Sequence, residues 1–263
     1  MTSPYFERLD DDRFVATELT GGAWDEAEQH IAPALGLLTH LVEVDRDRRR
    51  PDDAAALLPA RVSCDILGVM PVGEVSTELE VLRPGRTIEL VEARVLVAGR
   101  AAVRARVWLM QPGDTAAIAG TPVAALSGPD SCEPWDPTTV WPGGFIASIE
   151  LRRDQEAPGR GRFWARTAHP LVAGEPVSPW ARRLGILDVS NGMTVRADPR
   201  EILFPNVDLT AHLVREPVGE WAGFDTDVTF GPTGLGLTHT VLHDTAGHLG
   251  SSSQLLTVRP VHR

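Results

Sequence analysis

The chain has 263 residues, is 43% hydrophobic and 23% charged, and carries a formal net charge of −11. That composition supports a sizeable globular core, and the acidic balance argues against nucleic-acid binding, which needs clustered positive charge. All 25 basic residues are arginine, which excludes Schiff-base and P-loop lysine chemistry. No run is long and apolar enough to cross a bilayer, and no basic stretch followed by an apolar core opens the chain. A cytoplasmic protein with no membrane partner is expected. Cys64 and Cys132 lie far apart and match no metal spacing, so both are expected as free thiols.

In chain order, Phe14–Thr20 reads as a strand closed by Gly21-Gly22. Glu28 to Val44 reads as a helix, with Ile31, Ala34, Leu35, Leu38, Leu41 and Val42 at helical spacing. The run from Asp45 to Asp53, with arginines at 46 and 48–50, reads as a charged loop stopped by Pro51. Four strand-like runs follow: Ala60–Met70, Glu74–Leu82, Arg86–Ala98 and Ala101–Met110. Residues 113–142, rich in Pro, Gly, Ala and Ser, read as a linker. Beyond it, Phe145–Arg152 and Gly161–Ala168 read as strands. Pro179–Val189 reads as a helix with Ser178 as N-cap and Pro179 at its first position. Four more strand-like runs close the chain: Asn206–Val214, Glu220–Phe230, Gly234–Asp244 and His248–Val258.

The order is thus written twice. Pro71-Val72-Gly73-Glu74-Val75 is echoed by Pro217-Val218-Gly219-Glu220-Trp221, and Ala98-Gly99 by Ala246-Gly247, each at a turn between strands. A central helix wrapped by a curled antiparallel sheet satisfies strand, helix and four-strand meander in each half. The expected fold is α+β, a double hot dog, with residues 1–112 as the first copy, 113–142 as linker and 143–263 as the second.

The second half carries Phe204-Pro205-Asn206-Val207-Asp208-Leu209-Thr210-Ala211-His212-Leu213, then Gly219-Glu220-Trp221, Gly231-Pro232-Thr233-Gly234-Leu235-Gly236-Leu237, Val241-Leu242-His243-Asp244 and Ser253-Gln254-Leu255-Leu256-Thr257-Val258-Arg259-Pro260. By these segments it resembles the acyl-CoA thioesterase II family. The resemblance implies hydrolysis of an acyl-CoA thioester to free acid and coenzyme A, with no cofactor or metal beyond the coenzyme A of the substrate. It implies an Asp, a Thr or Ser, and a Gln as catalytic residues. By position these fall on Asp208, Thr229 and Gln254, with Val62, Arg83 and Arg106 as approximate counterparts in the first copy. Asp208 would serve as base or water anchor, Thr229 and Gln254 would complete the water's hydrogen bonds, and all three must converge.

Backbone N–H groups at the start of the first helix, around His30, Ile31 and Ala32, would bind substrate and hold the oxyanion. The chain has no Gly-x-Ser-x-Gly elbow, so no covalent intermediate is required. Where the family commonly has paired glycines at that helix start, this chain has His30-Ile31-Ala32-Pro33. A non-catalytic acyl-binding protein on the same scaffold is therefore the alternative, and His30 keeps a hot-dog dehydratase or hydratase in view. By alternation alone, Asp208 and Thr229 sit on polar strand faces, while Gln254 shares a face with Leu256 and Val258. His239 and His243 read as a polar strand face. Long sheet edges leave a homo-oligomer open.

Overall fold

The structure, a computed structural model, describes residues 2–50 and 56–261. Strands β1 (Phe6–Arg8) and β2 (Arg13–Ala16) precede helix α1 (Ile31–Arg49). Then come β3 (Leu58–Ile66), β4 (Gly73–Arg83), β5 (Ile88–Val97) and β6 (Arg100–Met110). The second half holds β7 (Glu133–Pro134), α2 (Gly144–Ala147), β8 (Ile149–Ala157), β9 (Arg160–Thr167), α3 (Pro179–Leu184) and α4 (Ser190–Met193). It closes with β10 (Ile202–Leu203), β11 (Asp208–Leu213), β12 (Ala222–Phe230), β13 (Leu235–Asp244), β14 (Gly247–Thr257) and β15 (Arg259–Pro260). No helix among the described residues is long and apolar enough to cross a membrane.

Thirteen strands form one antiparallel sheet in the order β1-β2-β4-β5-β6-β3-β11-β14-β13-β12-β9-β8-β7. Apart from β7, the order reads the same from either end once halves are exchanged. The halves meet at β3 and β11, where Ser63 pairs with Thr210. A β-bulge fixes the correspondence. Val95 faces Val103 and Leu96 faces Ala101, leaving Ala102 extra; Leu242 faces Gly250 and His243 faces His248, leaving Leu249 extra. Leu242 follows Val95 by 147 positions, as Gly250 follows Val103 and Thr210 follows Ser63. This register corrects the counterparts read from the turn echoes, which were one position off. Asp208 corresponds to Arg61, Thr229 to Leu82 and Gln254 to Val107.

Helix α1 begins at His30, whose ring Nδ1 accepts the Ala32 N–H at 3.2 Å, and ends with Arg46, Arg48 and Arg49 in its last turn, where cations complement the dipole. The arginine run is thus the helix end and not a loop; Asp52 and Asp53 lie outside the described residues. From Ala32 to Glu43 every residue of α1 is buried, polar Thr39, His40 and Glu43 included, because sheet covers one side and α3 the other. Crossing of the helices requires glycine: a Cβ on Gly36 would stand 2.8 Å from the Gly185 Cα.

The second helix is not continuous over Pro179–Val189. It stops at Leu184, and a 3-10 turn at Leu187–Val189 and the short α4 carry the chain on in a new direction. The linker is docked, not loose. Trp164 donates its indole N–H to the Ser127 carbonyl at 2.9 Å, and Trp141 is buried.

Candidate active site

A pocket of about 370 Å³ opens between the halves. Its wall joins the start of α1 (Gln29, His30, Ile31), the loop after β3 (Ile66–Met70), and the kinked segment of the second half (Asp188, Val189, Asn191–Met193). Trp24, Trp141 and Ile146 make it largely apolar. Trp24 meets Trp141 edge-on at 4.8 Å between ring centroids, and meets Phe204 at 5.3 Å. Trp141 is fixed by donating its indole N–H to the Gly192 carbonyl at 2.8 Å.

The buried carboxylate in this pocket is Asp188, which is 5% exposed; Asp25 and Glu28 lie at its outer wall. It sits inside the 3-10 turn with φ −76° and ψ 20°, outside the helical geometry of its neighbours. Two amides hold its Oδ1: Asn206 Nδ2 donates at 2.6 Å and Gln254 Nε2 at 2.7 Å. Its Oδ2 faces His30 Nδ1 at 3.7 Å, too long for a direct hydrogen bond. Burial pushes the Asp188 carboxyl up to about 7, although the two amide donors and the more distant Asp208 act on it in opposite senses. Burial pulls His30 down to about 3. A neutral His30 that accepts the Ala32 N–H at Nδ1 carries its proton on Nε2. The single Nδ1 lone pair is taken up by the Ala32 N–H, so no proton lies between Nδ1 and Asp188 Oδ2, and Oδ2 is left as the open acceptor of the pair.

The structure divides the expected trio between two faces of the sheet. Val228, Thr238 and Gln254 form one cross-strand row, and Thr229, Leu237 and Leu255 form the next. The first row is buried; in the second, Thr229, Leu237 and Leu255 are exposed. Gln254 points inward to Asp188, whereas Thr229 is on the outer face. Asp208 is with Thr229 by face: its neighbour Leu209 is fully buried, and Asp208 Oδ1 accepts the Leu255 N–H at 2.6 Å. That N–H is available because β11 carries one extra residue here, between the Asn206–Leu256 and Thr210–Ser253 pairs.

The structure places Thr238, not Thr229, beside Gln254, and both side chains are buried with one oxygen unpartnered among the described residues. His30 and Ile31 line the pocket, as the helix-start reading expects. Ala32 does not, and its N–H is spent on His30; Pro33 has none. The Ile31 N–H is left as the first-turn donor without an intrahelical acceptor.

Asp188 carried a faint sequence signal that pattern reading passes over. It is the single charged residue in the short apolar run Ile186-Leu187-Asp188-Val189. Its aim toward His30 depends on the helix break, which periodicity does not show. His243 is buried and accepts the Leu126 N–H at 3.4 Å, while His239 is exposed, so the pair does not share one environment.

Two family models match. The acyl-CoA thioesterase N-terminal domain matches residues 20–110, and the acyl-CoA thioesterase C-terminal domain matches residues 129–258. The TesB protein of Mycobacterium avium subsp. paratuberculosis has a similar structure at 17% identity, with 97% of this chain and 96% of that chain covered and a TM-score of 0.68. The acyl-CoA thioesterase II TesB2 of Mycobacterium marinum is similar at 14% identity, 97% and 96% coverage and a TM-score of 0.65. A protein of unknown function with a hot dog fold from Alicyclobacillus acidocaldarius is similar at 12% identity, 96% and 95% coverage and a TM-score of 0.72. No curated protein matches by sequence. The hot dog fold and the two domain matches, which together span most of the chain, lead to one conclusion: the chain belongs to the acyl-CoA thioesterase II-like family.

Proposed function

We propose that the protein is a thioester hydrolase built as a double hot dog, with acyl-CoA as the substrate class its family implies and Asp188 as the general base. The observation that carries this reading is the pocket carboxylate itself. It is buried, held at one oxygen by two amides, unbonded at the other, and raised to about 7. A base poised near working pH can both take and return a proton. Asp188 Oδ2 takes the proton of a water as its oxygen attacks the thioester carbon. The C–S bond then breaks, and the same proton goes to the departing thiolate. The Ile31 N–H and the positive end of α1 stabilise the oxyanion. Gln254, which the resemblance assigns to hold the water, acts in this reading through Asp188 instead, with Asn206 as its partner. Residues 1–112 and 143–263 supply most of the two walls, and the joining segment 113–142 adds Trp141.

The test is thiol release from a panel of acyl thioesters across pH. Turnover should rise through about pH 7 as Asp188 ionises. A flat profile between about pH 5 and 9 removes Asp188 as the base, and saturable binding without thiol release supports the acyl-binding alternative.

A second reading follows from His30 and Asp188 meeting at 3.7 Å at the start of the buried helix. That pair suits hydration of an enoyl thioester, with the thioester left intact. Loss of enoyl absorbance without thiol release would favour it.

A further inference from the structure

The rim of the pocket bears on which thiol carries the acyl group, an inference that rests on the thioesterase reading. The segment Gly22–Gln29 is clamped to the loop at Met70–Val72. The Gln29 N–H donates to the Met70 carbonyl at 2.6 Å and the Val72 N–H to the Ala27 carbonyl at 2.9 Å. The clamp fixes Asp25 and Glu28 at the pocket wall. Asp25 is exposed and folds one oxygen onto the Ala27 N–H at 2.9 Å, and Glu28 is half-buried. Neither carboxylate has an ion-pair partner among the described residues. The other exposed rim residues, Trp24, Leu67, Val69 and Val207, carry no charge. None of the lining residues is an arginine, and the chain has no lysine.

The thiol arm of a bound thioester must cross this rim to bring its carbonyl to Asp188. We infer that Asp25 and Glu28 are specificity-determining residues that disfavour polyanionic thiols, so that the preferred substrate is an acyl group on a neutral, pantetheine-type arm. Coenzyme A carries phosphates, the two exposed or half-exposed charged side chains that line this mouth are both negative, and a molecule of net charge −11 deepens the repulsion at long range. The effect acts on capture, so it falls on KM and not on kcat.

The experiment compares the same acyl group on pantetheine and on coenzyme A. At low salt, KM for the coenzyme A thioester should be higher by about tenfold, and the gap should shrink to about twofold near 0.5 M sodium chloride. In Asp25→Asn/Glu28→Gln the ratio of the two KM values should fall about fivefold. Equal KM values at low salt, or a ratio unmoved by salt and by the double variant, overturn the inference and leave the hydrolase standing. If neither thioester is cleaved, the hydrolase reading falls instead. Discrimination is then read from tryptophan fluorescence on adding pantetheine or coenzyme A. Tighter pantetheine binding upholds the rim assignment, and equal binding overturns it.

Discussion

The inner faces of the two half-sheets occupy equivalent positions and have opposite chemistry. Val91, Ala93, Ala105 and Val107 in the first half correspond, 147 positions on, to Thr238, Thr240, Ser252 and Gln254 in the second. All eight are buried. The first sheet therefore packs α1 mainly by apolar contact, with one ion pair at the helix end, where Arg49 meets Glu89 of β5. The second spends part of its interior on hydrogen-bonding groups, among them the Thr226–Thr240 hydroxyl pair at 2.9 Å and the Gln254–Asp188 bond. Burying such groups costs stability unless they are partnered, so their concentration on one side of a duplicated fold marks where packing gives way to chemistry.

The two helix starts teach the same lesson. His30 caps α1 and faces Asp188 of the opposite half; Ser178 caps α3 and donates to Glu43 of α1 at 2.5 Å. Burial pushes both carboxyls up. Glu43, however, has Arg46 at 3.7 Å beside it, and it does not line the pocket that Asp188 lines. Asp188 has only neutral amides and an open wall. The difference between a closed polar contact and a candidate site is one neighbouring arginine and one cavity.

The largest expected effect comes from removing the carboxylate that distinguishes the second crevice. Asp188→Asn should lower thiol release by about a hundredfold or more, the usual worth of a general base. Stability should move the other way. Asp188 has a folded pKa near 7 against an ordinary carboxylate value near 4, so its stabilising contribution is complete below about pH 4 and lost as pH rises through 7. The variant lacks that loss. It should melt higher than wild type at pH 8, with the advantage vanishing near pH 4; a variant less stable at pH 8 would show that the carboxylate is not strained by burial.

Exchanging equivalent residues sharpens the comparison further. Gln254→Val gives the second half the residue of the first, removes one of two donors on Asp188, and should cost about tenfold in turnover. The pH midpoint should also rise, because that donor favours the ionised form. The reverse exchange, Val107→Gln, buries an amide with no partner and should cost about 2 kcal/mol in denaturant unfolding with little change in thiol release. If the two exchanges had equal effects on turnover, the asymmetry of the halves would not be functional.

The smallest effect is expected at Asp208. Its carboxylate caps one backbone N–H on the outer face, so Asp208→Ala should cost about 1 kcal/mol and change turnover by less than about threefold. A loss of tenfold or more would return Asp208 to the mechanism.

Much of this was legible in the residues. The duplicated order, the first helix (read from Glu28, begun in the structure at Ile31), the Ser178 cap with Pro179, and the inward face of Gln254 all follow from local chemistry and alternation. Three features did not. The bulge in β11 frees the Leu255 N–H for Asp208, and the residue count between strands does not reveal a bulge. The break after Leu184 re-aims Asp188, and an isolated Gly185 does not announce a break. The charged run stays helical through Arg49, where Arg49 and the following Arg50 find Glu89 on β5, 2.7 and 2.9 Å away.

What the sequence determined by itself was therefore the repeat, the strands and helices, and the residue types available for catalysis, since these depend on neighbours along the chain. Which carboxylate is buried, which amide meets it, and which charges guard the rim were decided only in three dimensions. Strand register and the crossing of α1 with α3 at Gly36 and Gly185 bring together groups as far apart as His30 and Asp188. Burial then sets whether a carboxyl is an inert surface charge or a base near neutrality.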